Sequence, residues 1–167
     1  MDYTNTYEES KQESEDIHEW KLEIPKIELS APIVDGTTDE ILNKYIGHFE
    51  STSKDSGNVA LAAHNRGYDV NYFSRLKDLE VGDEVIYTYG NLVKTYEITS
   101  KDIIKDTDVE VLKETNENIL TLITCVENQP SLRRCLIAKE IKKWKEMNNE
   151  KNFKYINFIN INFKFIL

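Results

Sequence analysis

The sequence predicts a mainly β protein, a barrel or sandwich of short strands rather than alternating β-α units. Apolar residues recur at every second position in several short stretches. Turn signals are closely spaced, among them Asp35-Gly36, Val81-Gly82-Asp83 and Gly90-Asn91. Helical spacing is confined to two short segments. The 167 residues are 40% hydrophobic, which suits a single core with loose ends, and no internal repeat is present.

Residues 1–19 form a polar, acidic arm without apolar periodicity and are expected to be disordered. Order begins at Trp20, where Trp20, Leu22 and Ile24 alternate with Lys21 and Glu23 as in a half-buried strand. Pro25 and Pro32 mark strand edges, because proline gives no N–H to a ladder. Ile27, Leu29, Ala31 and Ile33 continue into a second short strand. Thr37 or Thr38 caps a short helix running to about Ile46 and ended by Gly47. A loop (HFESTSKDSGN) follows, then an apolar strand, VALAAH, at residues 59–64. NRGYDV is a polar loop. Tyr72, Phe73, Leu76 and Leu79 have helical spacing, which predicts a turn or short helix.

Glu84–Tyr89 and Leu92–Ser100 flank Gly90-Asn91 as a hairpin, with Ile103 and Ile104 extending the second strand. Residues 106–112 read as a loop or single helical turn. Ile119–Thr124 is a core strand, Val126–Leu132 a loop containing Pro130, and Arg133–Ile141 the last strand. The tail, 142–167, is first rich in Lys, Glu and Asn. It ends in YINFININFKFIL, which is too short and too polar to span a bilayer and resembles a sticky β-segment outside the domain.

Composition narrows the function. The net charge is −9 and no basic stripe runs along a strand or helix, which argues against nucleic-acid binding. Two cysteines, Cys125 and Cys135, are too few for a disulfide framework and lack C-x-x-C metal spacing. No signal peptide or membrane span is read, so either the protein is cytosolic or an anchor lies outside this sequence.

Three local features bear on chemistry. Cys125 stands at the exit of the apolar strand TLITC, placed to meet an extended substrate. His64 closes the strand VALAAH; a cysteine and a histidine far apart in sequence are the minimum for thiol catalysis. Arg133-Arg134 follow the loop after Cys125, and an arginine there would stabilise a thiolate and a developing oxyanion. Taken singly, each also fits a structural role: a packed cysteine, a satisfied histidine, an exposed charge.

Their order and context resemble the sortase family. GNVALAAH (57–64) matches its histidine strand, TLITC (121–125) its TLxTC strand, and RRCLIA (133–138) the arginine that lies five residues before a small residue. EIPKIELSAPIVDGT, IGHFEST, the hairpin region YFSRLKDLEVGDEVIYTYGNLVKTYEIT and TDVEVL agree in the same order, so the resemblance covers residues 20–141. It implies a closed, mostly antiparallel eight-stranded β-barrel with one or two short helices. It also implies a cysteine transpeptidase. Cys125 would be the nucleophile, His64 the general acid/base, Arg133 the oxyanion and substrate ligand, and Thr124 a substrate-binding residue beside them.

The implied substrate is an L-P-x-T-G-like sorting signal of a secreted protein. The acceptor would be a peptidoglycan-precursor or pilin amine, at the outer face of a Gram-positive cell membrane. Membrane attachment would need an anchor not present in this sequence. Counting back five from Ala138 gives Arg133 rather than Arg134. His48 is read as structural, Cys135 as core packing, and both cysteines as free thiols.

The departures are specific. Ala63 stands where the family has glycine before the histidine. The helical insertion of class B and the D-P-W or D-P-F lid of the pilin-building class are missing. Class D fits first and class A second. Only Glu50 and Asp55 could stand in for the acidic cluster of calcium-dependent members, so no metal and no cofactor are expected. The competing expectation is a catalytically silent barrel that only binds peptides or cell-wall fragments.

Overall fold

The computed structural model describes residues 20–142. The expected disordered arm at 1–19 and the tail from 143 onward lie outside the described residues. Eight strands form a closed barrel: β1 Trp20–Ile24, β2 Leu29–Asp35, β3 Ile46–His48, β4 Asn58–Ala62, β5 Glu84–Tyr89, β6 Leu92–Lys105, β7 Ile119–Val126 and β8 Gln129–Ile141. Their order around the barrel is β1-β2-β3-β4-β7-β8-β6-β5, closed by antiparallel β5–β1 pairing. The expected closed eight-stranded barrel is what forms. Two of the pairings, β2–β3 and β4–β7, are parallel.

Alternation of side chains explains the core. Leu22 and Ile24 of β1, Tyr87 of β5, Ile98 of β6 and Leu136 of β8 are fully buried. β7 differs: residues 120 to 124 are all buried, because both of its faces are covered. The buried hydroxyl of Thr121 is satisfied by donating to Asn58 Oδ1 at 2.8 Å. Gly90-Asn91 makes the expected hairpin, with Tyr89 opposite Leu92 and Gly90 at φ 58°.

Two expectations are corrected. The helix after Asp35 is a single turn, α1 Asp39–Leu42. Gly47 does not end it but lies in β3, paired with Val34 and Ala62. A Cβ at Gly47 would sit 2.3 Å from the carbonyl oxygen of Gly36, the residue after β2, so the close approach of that backbone requires glycine there. The turn or short helix expected at 72–79 is a 3-10 turn, Leu76–Asp78, with Phe73, Leu76 and Leu79 buried.

The second correction matters most for function. Residues 126–132 are not a loop. Val126 still belongs to β7 and faces Gln129 at the start of β8, leaving a two-residue turn, Glu127-Asn128, with Asn128 in the left-handed region at φ 60°. Pro130 did not break the strand, because it lies one residue into β8. The register jumps here: Cys125 faces Arg133 while Val126 faces Gln129. Residues 130–132 therefore bulge away from β7, and Leu132 pairs with Lys105 of β6 instead.

Candidate active site

Strand register assembles the site. In the parallel pair β4–β7, Ala62 stands opposite Ile123. Two residues further along each chain come His64 and Cys125. In the antiparallel pair β7–β8, Cys125 stands opposite Arg133. Residues directly opposite one another on paired strands share a face. Cysteine near the end of β7, histidine just past β4 and arginine within β8 thus border one hollow of about 350 Å³. Its walls include Leu42, Phe49, Ala62 and Ile123, with Asp39 and Thr37 near the start of α1.

Two hydrogen bonds lock the segment after β4 onto β7. Thr124 Oγ1 donates to the Ala63 carbonyl at 2.7 Å, and Asn65 Nδ2 donates to the Cys125 carbonyl at 2.6 Å. They bracket His64 on both sides. Thr124 is buried and its hydroxyl is committed to this brace, although the residue also borders the hollow. Phe73 N–H donates to the His64 carbonyl at 3.0 Å and closes the following loop.

Cys125 is exposed. His64 is only 8% exposed, and its Nε2 is buried with no hydrogen-bond partner. Its ring is stacked on Tyr68, with centroids 3.5 Å apart and planes within 4°. Burial lowers the His64 pKa from its ordinary value, partly opposed by the charge of Asp39. Arg133 is half-buried, and its Nη1 donates to the carbonyls of Pro130 at 2.7 Å and Leu132 at 2.9 Å. The bulge in β8 thus grips the guanidinium from behind. Arg134 faces Thr124 and Ile103 and takes no part in the hollow.

Other sequence candidates fall elsewhere. Cys135 is a buried free thiol opposite Ile123, pushed up to about 12 by burial and by the nearby Asp102 and Asp108. His48 is fully buried, with Nδ1 2.9 Å from Asp35 Oδ1 and Nε2 3.0 Å from the Ser53 carbonyl. Both ring nitrogens face acceptors, which suits the structural role expected of it. Glu50 and Asp55 flank Lys54, whose ammonium lies 2.5 Å from Asp35 Oδ2. Among the described residues, no three His, Cys, Asp or Glu gather where they could hold a metal ion. No helix among them is long and apolar enough to cross a membrane.

Sequence reading missed Tyr68, Asn65 and Asp39. The polar run NRGYDV hid an aromatic whose partner is fixed only by the fold. Asn65, adjacent to His64, carried a signal in its position alone.

The closed barrel brings an exposed thiol near the end of β7, a buried imidazole just past β4 and an arginine of β8 around one hollow. The sortase domain family model matches residues 22–141, and the chain belongs to the sortase family. It is 34% identical over 131 residues to sortase A of Staphylococcus aureus, covering 72% of this chain and 64% of that protein. It is equally 34% identical over 110 residues to sortase D of Bacillus subtilis, covering 62% of this chain and 52% of that one. The chain therefore spans between about half and two thirds of these relatives' length. Sortase C1 from Streptococcus agalactiae has a similar structure, with a TM-score of 0.69 at 27% identity over 74% of this chain and 67% of that one.

Proposed function

We propose that the protein is a cysteine transpeptidase that cleaves an L-P-x-T-G-like sorting signal and transfers the protein to a cell-wall or pilin amine. The observation that carries this is that His64, just past β4, Cys125 of β7 and its cross-strand partner Arg133 of β8 border one hollow. The Cys125 thiol passes its proton to His64 as its sulfur attacks the scissile carbonyl. Arg133 donates to the developing oxyanion or to neighbouring substrate carbonyls. His64 protonates the leaving amine, and the acyl group stays on sulfur as a thioester. The incoming amine then attacks that carbonyl, the C–S bond breaks, and His64 takes the amine's proton.

The apolar walls of Leu42, Phe49, Ala62 and Ile123 suit the leucine and proline of such a signal. By likeness to its relatives the protein would work at the outer surface of a Gram-positive cell. Within the family, class D is the reading adopted, on the sequence features named above. The experiment is a sorting-peptide library incubated with wild type and Cys125→Ala, with products read by mass. Wild type should release the fragment after threonine and carry a thioester adduct on Cys125. Turnover that persists in Cys125→Ala would overturn the proposal.

A further inference from the structure

A second hollow, of about 270 Å³, lies beside the first and is bordered by Asn65, Arg66, Val126, Asn128 and Pro130 among others. His64, Tyr68 and Cys125 border both hollows. Tyr68 thus stands at their junction. It is itself 48% exposed, yet it covers one face of an imidazole that is only 8% exposed. The loop that carries it is tied down. Asn71 Nδ2 donates to the Tyr68 carbonyl at 2.5 Å, and Arg66 Nη2 donates to Asn128 Oδ1 at 2.5 Å, bridging to the β7–β8 turn. Gly67, at φ 81°, makes the bend that brings the tyrosine back over the histidine.

We propose that Tyr68 is a positioning residue that covers one face of His64 and limits the approach of water to that ring, so that an amine rather than water resolves the thioester on Cys125. This rests on the reading of Cys125 as the nucleophile. The thioester has two fates. An amine attack forms an amide, releases the thiolate and passes a proton to His64. A water attack releases the same thiolate and passes a proton to the same imidazole, but yields a free acid. The two differ in whether water reaches a position beside the His64 ring. An aromatic face laid flat on that ring occupies one approach to it, and exclusion of water from a reactive intermediate is an established use of such cover. The charged and titratable groups around His64 are Asp39 from α1, Cys125 from β7 and Arg133 from β8, with Tyr68 and Arg66 from its own loop.

The test compares wild type, Tyr68→Phe and Tyr68→Ala on an L-P-x-T-G peptide with a glycine-peptide amine as acceptor. Transfer and hydrolysis products are quantified together. Tyr68→Phe keeps the ring face and should keep the wild-type product ratio. Tyr68→Ala should shift the ratio toward hydrolysis by roughly tenfold, less than the hundredfold or more expected from losing the acid–base group itself. An independent arm needs no turnover. The His64 imidazole is titrated by NMR in the Cys125→Ala background, with and without Tyr68→Ala, and its midpoint should rise when the roof is removed. An unchanged ratio and an unmoved midpoint in Tyr68→Ala overturn the proposal, as does a Tyr68→Phe as impaired as Tyr68→Ala. If wild type forms no adduct on Cys125, the underlying reading fails instead, and the NMR arm still decides whether Tyr68 shields His64.

Discussion

Removing the Arg133 side chain should cripple turnover, while removing that of its neighbour Arg134 should not. Successive strand residues point to opposite faces, so only one of the two can face the thiol. Register selects Arg133, the cross-strand partner of Cys125, and gives Arg134 to Thr124. Pairs directly opposite in an antiparallel ladder have Cβ atoms about 4.5–5.5 Å apart, within reach of a guanidinium serving a carbonyl held at the sulfur. The two bonds to Pro130 and Leu132 both use Nη1, and the guanidinium has further N–H groups to offer a substrate. Loss of an oxyanion donor costs roughly a hundredfold to a thousandfold in kcat, or about 2.7–4 kcal/mol.

Arg133→Ala should therefore fall by that factor. Arg133→Lys should fall nearly as far, because an ammonium cannot grip the bulge and hold two parallel bonds at once. Arg134→Ala should stay within about twofold, as surface substitutions usually change free energies by less than about 0.5 kcal/mol. Steady-state kinetics on the three purified variants, with melting temperatures to exclude unfolding, would decide it. If Arg134→Ala were the inactive one, the β7–β8 register described above would be wrong by one residue.

Other consequences can be checked alongside. A thiol-reactive probe at neutral pH should label Cys125 and spare Cys135, and Cys135→Ala should keep activity; a peptide map locates the label. His48→Ala should lower the melting temperature, because stranding the buried partners of a hydrogen-bonded ring costs about 1–3 kcal/mol. His64→Ala should instead lose a hundredfold or more in turnover with the fold kept. Burial holds the folded-state pKa of His64 below its ordinary 6.5, so the fold favours the neutral ring. Its contribution to stability is full above pH 6.5 and is lost as pH falls through that value toward the lowered one. Chemical denaturation at pH 7 and pH 5 should show wild type losing more stability on acidification than His64→Gln; equal losses would refute the assigned direction. A chain ending at Ile141 and beginning at Trp20 should still cleave peptide, since the matched domain ends there.

Much of the barrel was legible because its strands carry their own signals. The hairpin at Gly90-Asn91 and the apolar runs that became β4 and β7 needed no tertiary information. The short strand β3 did not announce itself. Three residues have no measurable periodicity, and Ile46–His48 are extended only because β2 and β4 lie on either side. The β7–β8 turn was hidden by Pro130, a residue that normally interrupts strands but here sits where a bulge leaves its missing N–H without consequence for β7. For the candidate site, Cys125, His64 and Arg133 were picked out through motif order, and the fold brings them around one hollow. Tyr68 could not be found that way, because what matters about it is a ring stacked on a residue four positions earlier through a loop whose path only the fold fixes.

The parallel pairing of β4 with β7 also has a consequence in time. Ala63 and Thr124, which bond across this seam, are 61 positions apart in the chain. Between them the polypeptide leaves to build the β5–β6 hairpin on the far side of the barrel, then returns. Local structure such as that hairpin can form early, whereas the seam must wait for a large loop to close. The thiol and the imidazole are therefore strangers in every partly folded form that lacks the seam. A nascent or locally unfolded chain that lacks the seam carries a cysteine with no histidine beside it.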